Sequence, residues 1–170
     1  AQIVRGKVEE SRGQVAKLIN CSPKEIIFTS GGTEGANWPI YAALASAVQP
    51  LDIVTTSIEH AAVLEAAMIL SSRIKGTHHQ LKVNADGVVD PAELEQVLDK
   101  AENPVALVSV MWVNNLTGVV QPVEEIGEIC KRRGVPFHVD GSQWVGKMSV
   151  DVSTLPADYL TISAHKFHGP

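Results

Sequence analysis

The chain has 170 residues, 45% of them hydrophobic and 19% charged, with a formal charge of −5. That length is one domain with room for a substantial core, and the acidic balance argues against a nucleic-acid partner. The longest apolar run, residues 105–113 broken by Ser109, is too short to span a bilayer.

Residues 1–19 carry an amphipathic helical pattern (Ile3, Val4, Val8, Val15, Leu18, Ile19), followed by a turn at Asn20, Cys21, Ser22 and Pro23. Residues 25–29 read as a short strand, which runs into Ser30, Gly31, Gly32 and Thr33 and then a helix over 34–47, with Pro39 awkward inside it. Residues 52–56 predict a strand and 61–75 a helix. Residues 78–83 predict a third strand, placing His78 and His79 on a strand edge. A turn at 84–87 and the Asp90–Pro91 pair then introduce a helix reaching 102. Residues 105–112 form a near-continuous apolar strand, as expected when both faces are covered. A helix over 122–133 ends in Lys131, Arg132 and Arg133 before Gly134, where cations complement a helix C-terminus. Strands at 135–139 and 158–162 complete the series.

This alternation predicts an α/β domain with a mostly parallel (mixed) sheet flanked by helices in three αβα layers. No signal-peptide pattern is expected ahead of the apolar run at 105–113. Cys21 and Cys130 have no CxxC spacing and suggest neither a disulfide framework nor a zinc site. A reducing, cytoplasmic compartment is the default. The opening in mid-helix and the close of the chain soon after residue 166 suggest a piece of a longer protein.

Ligands on such sheets bind beyond the carboxyl ends of the strands. Five polar clusters follow strands: residues 30–33, Glu59 with His60, Asn114 with Asn115, 140–143 and 163–166. Ser30, Gly31, Gly32 and Thr33 can cradle an anion at a helix start or simply make a tight turn with Thr33 as cap. His60 can stack on a flat ring or be an ordinary helix-start residue. Asn115 can hold a phenolic oxygen or a substrate carboxylate, or belong to a turn. Trp38, Trp112 and Trp144 read as packing residues.

Asp140 closes an apolar strand, which is costly unless something pairs with it. Lys166 follows another strand. A lysine and an acid so placed are the minimum needed to hold pyridoxal 5′-phosphate (PLP): the amine forms a Schiff base with the aldehyde, and the carboxylate keeps the pyridine nitrogen protonated. Two other chemistries stay open on the residues alone. His138 and Asp140, with His60, His165 and His168, could ligate a metal in a hydrolase. Ser163 and Lys166 also fit a loose S-x-x-K pattern.

In order along the chain, the motifs resemble those of the NifS/IscS-type cysteine desulfurases and selenocysteine lyases, class V aminotransferase-like enzymes of the fold-type I PLP group. The matching stretches are residues 28–34 (FTSGGTE), 59–63 (EHAAV), 113–122 (VNNLTGVVQP), 138–143 (HVDGSQ) with 145–147 (VGK), and 163–166 (SAHK) with Gly169 and Pro170. The resemblance implies that residues 1–170 are the PLP-binding large domain, with an N-terminal segment and a C-terminal small domain outside the chain. It implies Lys166 as the Schiff-base lysine, Asp140 on the pyridine nitrogen, Gln143 on the phenolic oxygen and His60 stacked on the ring. Gly32, Thr33, Ser163 and His165 would hold the phosphate, and Asn115 would sit beside ring and substrate carboxylate. Lys166, His60 and Asp140 are the residues implied to take part in the chemistry.

The same resemblance implies L-cysteine or L-selenocysteine as substrate, a homodimer, a sulfur-acceptor protein and a role in iron–sulfur cluster assembly. Another class V member, a small-substrate aminotransferase or a kynureninase-like hydrolase, is the nearest alternative, and a non-catalytic module that keeps the fold is a further one. The sulfur-accepting cysteine and the carboxylate-binding arginine of such enzymes lie beyond Lys166, so neither Cys21 nor Cys130 is expected to accept sulfur. The chain alone is expected to be inactive.

Overall fold

The computed structural model describes residues 2–45 and 47–169. Ala1, Ser46 and Pro170, which the first two expected helices and the last motif include, lie outside the described residues. The elements are α1 (Gln2–Ile19), α2 (Gly32–Leu44), β1 (Asp52–Thr56), α3 (Ala61–Arg73), β2 (His78–Leu81), α4 (Pro91–Lys100), β3 (Val105–Met111), α5 (Val123–Arg133), β4 (Phe137–Asp140) and β5 (Tyr159–Thr161). Short 3-10 turns occupy Pro23–Glu25 and Ala164–Phe167.

The five strands form one sheet in the order β2-β1-β3-β4-β5, every pairing parallel. Side chains alternate between faces. Ile53 and Leu107 therefore join Ala36, Ile40, Val63 and Ala67 of α2 and α3 in one apolar cluster. Val54, Val108, Val110 and Val139 join Leu94 of α4 and Ile126 and Ile129 of α5 in the other. That is a three-layer αβα sandwich with two cores, each buried Ile or Leu contributing about 1.5–3 kcal/mol.

Local signals set the helix ends. Asp90 caps α4 by accepting the Ala92 N–H at 2.9 Å, with Pro91 next in line. Gly134 closes α5 at φ 66°, a left-handed cap that glycine adopts freely. The basic run before it meets α4 through Arg132–Glu95 and Arg133–Asp99 ion pairs. His79 bonds buried Asp52, and His78 bonds Thr55, both from the edge strand β2. Trp112 and Trp144 stack with centroids 4.6 Å apart, whereas Trp38 is half exposed and does not serve as a core residue.

The expected strand at 25–29 is absent. Ser22 and Glu25 form a reciprocal capping box that holds Pro23–Glu25 in a 3-10 turn. The chain after it is extended at Ile26 but belongs to no strand of the sheet. Arg12 braces it instead, donating to the Ile26 carbonyl and lying 4.8 Å over the Phe28 ring.

Candidate active site

The strand order reverses direction at β1, from which the chain goes first to β2 on one side and then to β3 on the other. A crevice opens beyond the carboxyl ends at such a point. A half-enclosed cavity of about 200 Å³ lies there, and all nine of the residues expected to hold a cofactor line it: Gly32, Thr33, His60, Asn115, Asp140, Gln143, Ser163, His165 and Lys166. Five separate stretches of chain thus meet at one place. The first cluster arrives on the end of α2 rather than on a strand of the sheet, because residues 26–29 stay unpaired.

Gly32 opens α2, so the helix start faces the cavity. A Cβ on Gly32 would stand 3.1 Å from Ser163 Oγ and 3.9 Å from Ser142 Oγ. The missing side chain leaves a cradle between a helix N-terminus and two hydroxyls, an arrangement that suits an anion. Glu34 folds the preceding loop back by accepting the Ser30 N–H at 2.5 Å. Ser163 is buried, and its hydroxyl pairs with His165 Nδ1 at 3.1 Å.

Asp140 ends β4, half-buried, with Oδ1 accepting the Ser142 N–H at 2.9 Å. Among the described residues its other oxygen receives no hydrogen bond, and the Lys166 amine makes neither a hydrogen bond nor an ion pair, while its backbone N–H donates to the Ser163 carbonyl at 3.0 Å. Gln143 is tied through its amide oxygen, which accepts from Lys147 Nζ at 2.6 Å. Its amide N–H groups are thereby left as donors. His60 caps α3, Nδ1 accepting the Ala62 N–H at 3.1 Å, which puts the proton of the neutral ring on Nε2.

Below Asp140 on the same face, His138 is fully buried, with Nδ1 against Ser109 Oγ and Nε2 against Thr161 Oγ1, both at 2.8 Å. Burial pulls its pKa down against the opposing pull of Asp140, so the ring is neutral at physiological pH. With both nitrogens engaged it cannot join Asp140 on a metal. Among the described residues no three His, Cys, Asp or Glu side chains group to hold one. Asn114 differs from its neighbour: its Oδ1 accepts from the Leu116 and Thr117 N–H groups and organises the turn, while Asn115 faces the cavity.

Sequence reasoning missed Ser142, Ala36, Ala62, Met111 and Val113 among the lining residues. Ser142 was signalled by its place between Asp140 and Gln143. The apolar residues carry no chemical signal. Cys130 is buried inside α5, where burial first and Asp158 second push its thiol up to about 12. Cys21 is also raised, by burial and then Glu25. Neither is a ready nucleophile.

A family model described as Aminotransferase class-V matches residues 2–170. A mitosomal cysteine desulfurase of Trachipleistophora hominis is 45% identical over 166 residues, covering 96% of this chain and 37% of the relative. A solved structure of SspA in complex with cysteine superposes with a TM-score of 0.91 at 31% identity, over 100% of this chain and 48% of that one. A NifS-like protein gives a TM-score of 0.86 at 36% identity, over 100% and 47%. The chain thus spans less than half the length of each of these relatives.

Proposed function

The chain belongs to the aminotransferase class-V family, and on that premise we propose that its cavity holds PLP and that the full-length protein is a cysteine desulfurase. The observation that carries the reading is the meeting of Lys166, Asp140 and the Gly32–Ser163 cradle around one cavity. The residues suit the cofactor: an anion cradle for its phosphate, an acid with an open oxygen for its ring nitrogen, and an amine for its aldehyde. When bound, PLP withdraws electrons from the substrate Cα, which loosens the Cβ–S bond.

The chain's own groups then have defined tasks. Gly32, Thr33, Ser163 and His165 hold the phosphate, aided by the start of α2. Asp140 keeps the ring nitrogen protonated, and Gln143 donates to the phenolic oxygen because Lys147 occupies its own oxygen. His60 covers the ring face and can pass a proton through Nε2. Lys166 would hold and move the proton at substrate Cα. Asn115 orients the substrate carboxylate.

The proposed substrate is L-cysteine, with sulfur passed to a cysteine outside residues 1–170 and alanine left behind. L-Selenocysteine would use the same groups. A homodimer, a protein that receives the sulfur and supports iron–sulfur assembly, and a reducing cytoplasmic setting complete the proposal. None of the described helices is long and apolar enough to cross a membrane.

The test is to load the full-length protein with PLP, record the visible band, reduce with borohydride and map the modified residue. Label on Lys166, its absence in Lys166→Ala, and alanine formation from L-cysteine are the expected results. A wild-type protein that binds no PLP would overturn the cofactor reading. Binding without alanine or sulfide release would move the activity to another member of the family.

A further inference from the structure

Strand pairing between β1 and β3 stops at Thr55 and Ser109. Beyond it the chain after β1 turns away toward His60, while β3 continues to Met111, which is 3% exposed. The Met111 N–H points to the side that β1 has vacated, and a buried N–H needs a partner. Glu59 supplies one: its Oε1 accepts from Met111 N at 2.8 Å and from Thr56 Oγ1 at 2.6 Å. Asn114 Nδ2 adds a second tie to the Ile58 carbonyl at 3.2 Å. The other Glu59 oxygen is buried and unpartnered. Burial above all, with some help from Asp140, pushes this acid up to about 8 against the hydrogen bonds that favour its anion. It therefore carries a proton at neutral pH.

We propose that Glu59 is a positioning residue for the cofactor cavity: its buried carboxyl group bridges the parting of β1 and β3 and so fixes His60, the next residue, against Met111 and its register partner Asp140. His60 and Met111 both line the cavity, and Met111 pairs with Asp140 across β3 and β4. One side chain thus sets the spacing between the group above the ring and the strand ends below it. This inference rests on the cavity being a PLP site.

The test compares wild-type, Glu59→Gln and Glu59→Asp in the full-length protein loaded with PLP. The PLP dissociation constant and the visible circular dichroism of the bound ring are read alongside the thermal midpoint. Glutamine keeps an acceptor for Met111 and Thr56 and is neutral, so affinity and dichroism should stay within about twofold of wild-type. Aspartate is one methylene shorter and cannot span the parting, so affinity should fall by about fivefold or more and the dichroism should shrink. A merely structural role would lower the midpoint and leave the dichroism unchanged. Wild-type behaviour in the aspartate variant, or equal damage in both variants, overturns the proposal. Should the aspartate variant not fold, Thr56→Val decides the same question: reduced dichroism supports the bridge, and an unchanged signal overturns it. Wild-type protein that binds no PLP would instead overturn the cofactor reading, and this inference with it.

Discussion

Asp140 accepts one hydrogen bond and keeps its second oxygen open toward the cavity, while His138 beneath it is neutral and fully engaged. Among the described residues no cation pairs with that carboxylate. Asp140→Ala should therefore weaken PLP binding by about tenfold or more, the loss of one charge-assisted hydrogen bond, read as the PLP dissociation constant. Glu59 makes the opposite prediction about pH. Its acid form is favoured by folding, because the buried group titrates at about 8 against an ordinary 4.5. Its contribution is full below the ordinary value and is lost as pH rises to about 8, at about 1.4 kcal/mol per unit. His138, lowered by burial, works the other way below its ordinary 6.5. The clean window is thus pH 6.5–8, where urea midpoints should fall for wild-type and stay level for Glu59→Gln. Glu59 itself was only half legible. The sequence marks it as part of a motif beside His60, but its function depends on where β1 and β3 part, which no local pattern encodes.

At the scale of elements, the cavity depends on α2 reaching the end of β5. Gly32→Val would drive branched methyl groups into Ser163, already 3.1 Å from the first carbon. PLP affinity should drop by about tenfold, with little change in thermal midpoint; an unchanged affinity would mean that the anion sits elsewhere. The strands at 52–56 and 105–111 were legible because strands covered on both faces read as apolar runs between turn signals. The error at 25–29 has a local cause. Ile26, Ile27 and Phe28 look like a strand, yet Ile27 and Phe28 are 61% and 48% exposed, with no neighbour in the sheet. Extended backbone becomes a strand only where another edge receives it, and the capping box at Ser22 had already turned the chain.

Across the whole molecule the two ends of the sheet have different duties. The carboxyl ends carry the cavity. The amino end of β1 carries Asp52, 1% exposed, which accepts from Thr77 N, His79 Nε2 and Asn103 Nδ2 at 2.8–2.9 Å. Burial works to raise this acid, but those bonds outweigh it and hold it below the usual range. Its stabilisation is present above the ordinary carboxylate pKa and is lost as pH falls through the lowered one. Asp52→Ala should cost about 3 kcal/mol in urea unfolding, as for one member removed from a buried network, while PLP affinity of the folded protein stays the same. Parallel order and layers were readable from the alternation of periods, and the positions of nine of the lining residues from their places after strands or at a helix start. The distances among them come only from the three-dimensional register.

The strand order also has a consequence in time. The sheet extends from β1 through β3 and β4 to β5 in the order of synthesis, while the cavity draws on chain from Gly32 to Lys166. At about 5–20 residues per second, the apolar far edge of β3 waits seconds for β4 and β5 to cover it. That nascent edge is the stage most exposed to aggregation. A small molecule that needs both Gly32 and Lys166 is captured only after this interval. It can stabilise the finished fold but cannot guide its assembly.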